Sequence, residues 1–131
     1  MAKFKQVLLI EDDAITIMLC ERILRLNNFA ETIITKQNGQ EAIEFIQELI
    51  QYNKPIPEIC FLDINMPIMN GWDFLNEFEK IKMQLGTPMQ IYILSSTANP
   101  EDFIKATTFK TVTGTLPKPL CKEHLIEMNF S

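Results

Sequence analysis

Positive charge is scarce in this 131-residue chain: 12 lysines and arginines stand against 17 acids, for a formal net charge of −5. Nonspecific binding to nucleic acid or to an anionic membrane needs a basic surface, so neither is expected as a partner. Long apolar runs are missing too, and none approaches the roughly 20 residues of a membrane span. The opening Met-Ala-Lys-Phe-Lys-Gln leads into a short apolar run and then acids, which is not the pattern of a secretory signal. Cysteine is limited to Cys20, Cys60 and Cys121, an odd and widely spaced set without Cys-x-x-Cys. That argues against a disulfide or zinc framework and suits free thiols in a reducing cytoplasm. The single histidine, His124, is read as structural. What the chain does have is 47% hydrophobic and 22% charged residues, an ordinary mix for a globular protein with one core. No repeat, low-complexity tract or linker divides it, so residues 1–131 are read as one domain.

Two kinds of segment alternate along the chain. Val7–Ile10, Thr32–Thr35, Ile59–Leu62, Gln90–Leu94 and a weaker run at Gly114–Leu116 are short, β-rich and bounded by polar or turn residues. These are predicted to be strands of a parallel sheet. Between them lie stretches with helical spacing. The first is predicted to bury Ile15, Met18, Leu19, Ile23 and Leu26; the second, opened by Asn38-Gly39, to bury Ala42, Ile43, Phe45, Ile46, Leu49 and Ile50. A third carries Trp72, Phe74, Leu75, Phe78, Ile81 and Leu85, a fourth starts at Pro100, and a short fifth runs from about Lys122 to Met128. Strand and helix in alternation predict an α/β fold, a doubly wound parallel sheet with helices on both faces.

The strand ends carry the chemistry. In Cys60-Phe-Leu-Asp-Ile-Asn-Met-Pro-Ile-Met-Asn-Gly71, an apolar run stops on Asp63 and gives way to a turn. Alone, such an acid is most often a turn or cap residue. The first strand also ends in acids, Glu11-Asp12-Asp13, and strands one and three of such a sheet can be neighbours. Two carboxylates ~4 Å apart repel by roughly 4 kcal/mol at an effective dielectric near 20. A cation or a shared proton relieves that repulsion, and a few carboxylates with water favour Mg²⁺. Asp13 alone could serve as a helix cap. The fourth strand runs into Ser95-Ser96-Thr97, and the fifth into Pro117-Lys118-Pro119, where the prolines restrict the direction of Lys118. The Lys118–Pro119 bond is a candidate cis peptide. Acids for Mg²⁺, an Asp nucleophile, a hydroxyl and an ammonium together suit phosphoryl transfer.

With these residues in place, the chain resembles the receiver domain of two-component response regulators, the family that includes the chemotaxis response regulator. The resemblance rests on Leu8-Leu-Ile-Glu11-Asp12-Asp13, Leu62-Asp63-Ile-Asn-Met66-Pro67-Ile-Met69-Asn-Gly71, Leu94-Ser95-Ser96 and Lys118-Pro119, and it covers nearly the whole chain. It implies a flavodoxin-like fold with strand order 2-1-3-4-5, a winding of which the chemotaxis protein is a standard example. It implies that Asp63 accepts a phosphoryl group from a histidine kinase or phosphotransfer protein and that an unknown downstream protein reads the result. Asp12 and Asp63 would hold Mg²⁺ with the Asn65 carbonyl, Glu11 would act through a water, and Asp13 would start a helix. Ser95 would be the switch hydroxyl, Lys118 would bind a phosphoryl oxygen, and Pro119 would follow a cis bond.

Two positions depart from the family pattern. Thr115 stands where many receivers carry a Tyr or Phe whose ring moves with the switch, and Ser96 replaces a commoner Ala beside the site. No DNA-binding or catalytic segment follows, so the expectation is a stand-alone receiver that catalyses only its own phosphorylation and dephosphorylation. Two rivals are a pseudo-receiver acting through protein contacts alone and a Mg²⁺-dependent phosphohydrolase. The intact Asp12, Asp63, Ser95 and Lys118 set disfavours the first. The second would need another acid two residues after its nucleophile, where Asn65 stands.

Overall fold

The computed structural model describes residues 3–95 and 100–127. Five strands, β1 (Phe4–Ile10), β2 (Ala30–Lys36), β3 (Ile59–Asp63), β4 (Gln90–Ser95) and β5 (Val112–Pro117), alternate with five helices. The helices are α1 (Ala14–Leu26), α2 (Gly39–Gln51), α3 (Gly71–Ile81), α4 (Pro100–Ala106) and α5 (Lys122–Glu127). A single 3₁₀ turn, Lys82–Gln84, follows α3. The strands form one parallel sheet in the order β2-β1-β3-β4-β5, the predicted flavodoxin-like winding.

Alternation along the central strands sends side chains to two cores. Leu8, Ile10, Cys60, Leu62, Ile91 and Ile93 pack against Ala42 and Ile46 of α2 and Phe74, Leu75 and Phe78 of α3. Val7, Leu9, Phe61, Tyr92 and Leu94 face the other way, toward Cys20 and Leu24 of α1 and Leu125 of α5. All five residues of β3 are buried, because helices cover the sheet on both sides there. Each fully buried Leu, Ile or Phe contributes about 1.5–3 kcal/mol, so the middle of the sheet is its firmest part. By contrast, β2 and β5 are edge strands and stay half-exposed.

The buried face of α1 differs from the predicted one. Ile15, Met18, Leu19 and Leu26 are exposed at 64%, 52%, 43% and 76%, while Cys20 and Leu24 enter the core with Ile17 and Ile23 beside them. The helix carries apolar residues on two sides, and periodicity alone cannot choose between stripes of equal length. The third helix ends at Ile81, and α4 is cut to seven residues. There the Thr107 and Thr108 hydroxyls donate at 2.6 Å to the carbonyls of Ile104 and Lys105, competing with further helical bonding. The α2 and α3 helices open on Asn38 and Asn70, whose side chains accept the N–H groups of Glu41 and Asp73 at 2.9 Å.

Candidate functional site

Sheet register assembles the site. Ile10 lies opposite Leu62, Asp63 opposite Leu94, and Ser95 opposite Pro117, so the residues ending these strands share one edge. Glu11 follows Ile10, Asp63 and Ser95 close their strands, and Lys118 follows Pro117.

Glu11 turns inward and is 1% exposed. Its Oε2 accepts the backbone N–H groups of Asp12 and Asp13 at 3.1 and 3.2 Å, and its Oε1 accepts the Lys118 ammonium at 2.7 Å. The same ammonium donates to Asp63 Oδ1 at 2.9 Å. Carboxylate oxygens of Glu11, Asp12 and Asp63 all lie within 4.8 Å of one another, with Asp12 exposed and the other two buried. Asp13 stands outside this cluster: its Oδ2 accepts the N–H and hydroxyl of Thr16 at 2.8 and 2.7 Å and caps α1. Those hydrogen bonds to the ionised form hold the Asp13 pKa below the ordinary carboxylate value.

The backbone aims Lys118. Its bond to Pro119 is cis, and its N–H donates to the Ser95 carbonyl at 2.7 Å, which ties the end of β5 to the end of β4. Burial lowers the affinity of the ammonium for its proton, but hydrogen bonds and charge from Glu11 and Asp63 outweigh it and raise the Lys118 pKa. Burial also raises the Glu11 pKa, helped by the charge of Asp63 and opposed by the Lys118 hydrogen bond. With all four groups ionised, three carboxylates and one ammonium leave two negative charges at one mouth. This set of hard oxygen donors and residual charge fits a divalent cation such as Mg²⁺.

The other predicted residues fall around this centre. Ser95 is buried at the end of β4. Thr115 is half-buried on β5 opposite Ile93, and Ser96 lies outside the described residues. Asn65 is exposed in the loop after β3. That loop is fixed at two points: the Gly71 N–H donates to the Ile64 carbonyl and the Gly39 N–H to the Met69 carbonyl, each at 2.8 Å. A Cβ on Gly39 would stand 2.7 Å from Met69 Cγ and 2.8 Å from its carbonyl oxygen, so this close approach requires glycine. Sequence reasoning saw Gly39 only as part of a helix start and missed this clamp. It also missed Glu11 as the shorter of the two Lys118 contacts. His124 is structural: its Nδ1 accepts the Cys121 N–H at 3.2 Å. Trp72 packs on Phe109 with ring centroids 5.9 Å apart, and Lys105 Nζ sits 4.8 Å from its ring.

Residues 7–129 match the family model of the response regulator receiver domain. The chain belongs to that family. Among solved structures, this receiver is similar to a two-component response regulator from Cytophaga hutchinsonii, with 32% identity, a TM-score of 0.87, and 96% of this chain and 94% of that one covered. The response regulator Rcp1 of Synechocystis is 28% identical over 76% of this chain and 67% of its own length. Its Mn²⁺-bound structure, 26% identical, superimposes with a TM-score of 0.74 over 95% of this chain and 88% of that one. The cell cycle response regulator CtrA of Brucella ovis is 33% identical over 92% of this chain, which spans only 47% of CtrA. The place of this receiver is therefore in two-component signalling, where receiver domains meet histidine kinases or phosphotransfer proteins. No helix among the described residues is long and apolar enough to cross a membrane.

Proposed function

We propose that this receiver takes a phosphoryl group from a phosphohistidine onto Asp63 in a Mg²⁺-dependent reaction and that the product changes which protein it binds. The observation that carries the reading is the Lys118 ammonium, shared at 2.7 and 2.9 Å between Glu11 and Asp63 beside the exposed Asp12. Asp63 is recessed yet opens on the same mouth as the other acids, as a nucleophile needs. Its carboxylate oxygen forms the new bond to phosphorus as the P–N bond of the donor breaks, and the electron pair stays with the imidazole. Lys118 already holds one Asp63 oxygen and supplies positive charge where phosphoryl oxygens would collect. Asp12, Asp63 and the Asn65 carbonyl would hold Mg²⁺, with Glu11 behind a water. The ion, when bound, neutralises charge on the transferring group.

The product adds roughly −1.5 to −2 charges to this mouth. Lys118 would then exchange a carboxylate for a phosphoryl oxygen, and the Ser95 hydroxyl would be drawn toward the same group. Because the Lys118 backbone is bonded to Ser95, a shift of either one moves the β4 and β5 ends together. With Thr115 in place of an aromatic ring, the signal would leave through those strand ends and their loops. We place the protein in the cytoplasm, a setting that its free cysteines Cys20, Cys60 and Cys121 suit.

Incubation with Mg²⁺ and acetyl phosphate or phosphoramidate, followed by intact-mass measurement, tests the reading. A single phosphate adduct that is absent in Asp63→Asn supports it. No adduct under any such condition would favour a pseudo-receiver, and turnover of diverse phosphate esters would favour a phosphohydrolase.

A further inference from the structure

We infer that Ile68 is a specificity contact for the protein donor, an apolar knob that meets the surface surrounding the donor's phosphohistidine. The inference rests on Asp63 being the phosphoacceptor. Three non-glycine residues among those described have positive φ: Asn28 at 49°, Asn53 at 52° and Ile68 at 68°. The two asparagines follow the ends of α1 and α2, where a residue tolerant of left-handed backbone is the ordinary way to finish a helix. Ile68 has no such excuse. A β-branched side chain in this region clashes with its own backbone and is a true outlier.

The Ile68 side chain buries little that could offset that strain, being 84% exposed. The backbone around it is held instead. The Met69 N–H donates across Ile68 to the Pro67 carbonyl at 2.7 Å, and the Met69 carbonyl accepts from Gly39 at 2.8 Å. This tight turn would be relieved by Asn or Gly, yet it carries a large apolar group pointed at solvent. Strain that backbone hydrogen bonds enforce and that the Ile68 side chain does not offset by burial points to a role outside the chain.

Position identifies the occupant. Ile68 sits between Asp63 and Gly71, on the loop that leaves the phosphoacceptor strand. Asp63 is 5% exposed, so a phosphohistidine can reach it only if the donor's surface comes down onto the loops ringing the mouth. A donor the size of acetyl phosphate enters without touching them. Ile68 should therefore act on protein donors alone, and the matching feature on the donor is an apolar patch beside its histidine.

The test compares the wild-type chain, Ile68→Asn and Ile68→Val with two donors: acetyl phosphate, and a panel of phosphotransfer domains and histidine kinase cores phosphorylated on histidine. Ile68→Asn should load from acetyl phosphate at the wild-type rate, melt at an equal or higher temperature, and load from the phosphohistidine proteins about tenfold more slowly, the effect of losing one buried aliphatic contact. Ile68→Val, which keeps both the apolar surface and the strain, should restore most of the loss. Equal slowing with both donors, no slowing with either, or wild-type protein that loads from acetyl phosphate but from no phosphohistidine protein would each overturn the inference. Absence of any acetyl phosphate adduct on the wild type would instead reject Asp63 as phosphoacceptor.

Discussion

Gly71 lies so close to Asp63 that a Cβ placed on it would stand 2.6 Å from the Asp63 carbonyl oxygen. The same Cβ would come within 2.9 Å of the Ile64 Cα, so the obstruction is backbone that cannot swing aside. Close packing of the first turn of α3 against the end of β3 thus depends on a missing side chain. Gly71→Ala should destabilise the fold by roughly 1–3 kcal/mol, the range for overpacking a tight site. It should also slow Asp63 phosphorylation by acetyl phosphate, because the strand end must move. Chemical denaturation and adduct kinetics check the two parts; an unaltered rate in a folded variant would contradict the coupling.

Lys118 is the only counter-charge that the described side chains give Glu11 and Asp63 at hydrogen-bond distance. Lys118→Met should lower stability in the absence of Mg²⁺ by about 2 kcal/mol, less than the roughly 3–5 kcal/mol for breaking a fully buried pair. The discount reflects a side chain that is still 17% exposed. Mg²⁺ should then raise the melting temperature of the variant more than that of the wild type, since the cation supplies the missing charge. Equal Mg²⁺-induced shifts in the two proteins would show that ammonium and metal do not share these acids.

Asp12 is the exposed member of the acidic cluster, and no described side chain provides it with an ion pair. Asp12→Ala should leave the protein folded, with some repulsion relieved, and weaken Mg²⁺ binding by at least about tenfold, or 1.4 kcal/mol. Calorimetric titration, or the fluorescence of Trp72 as the single tryptophan, reads the affinity. An unchanged affinity would remove Asp12 from the ligand set.

Alkaline pH should unfold this protein partly through Cys20. Burial first, and then the charge of Glu11, push its thiol from 9.0 to about 11. A folded pKa above the unfolded one means that the neutral thiol stabilises the fold fully below pH 9. That contribution is lost as pH rises through about 11. Up to about 3 kcal/mol is at stake from this group. Cys20→Ala should flatten the fall in melting temperature between pH 9 and 11, whatever its effect at neutral pH. A slope as steep as in the wild type would assign the alkaline loss to other groups, Lys118 among them, whose raised pKa has the same sign.

Much of this site can be read from strand-end residues because parallel winding brings those ends to one edge. Asp63, the acids at 11–13, Ser95 and Lys118 each stand where an apolar run stops, so one topological inference gathers them. The local rules also reach the helix starts at Asn38 and Pro100. They do not reach the inward face of α1. Ile15, Met18 and Leu19 are as apolar as Ile17, Cys20 and Leu24, and rotating a two-sided helix changes nothing local. Docking against Leu9 and Phe61 settles it.

The amino-acid order is enough to specify the alternation of strands and helices, which follows from hydrophobic period and turn chemistry, and its motifs carry the family resemblance that implies the winding. Folding alone sets the distances. Glu11 and Lys118 are 107 positions apart, and no pattern along the chain states that their charges meet at 2.7 Å. Nor does it state that the Gly39 N–H reaches Met69, or that the turn there forces Ile68 into left-handed backbone. Each of these depends on through-space packing between segments distant in sequence, and electrostatic energy varies with that separation and not with position along the chain.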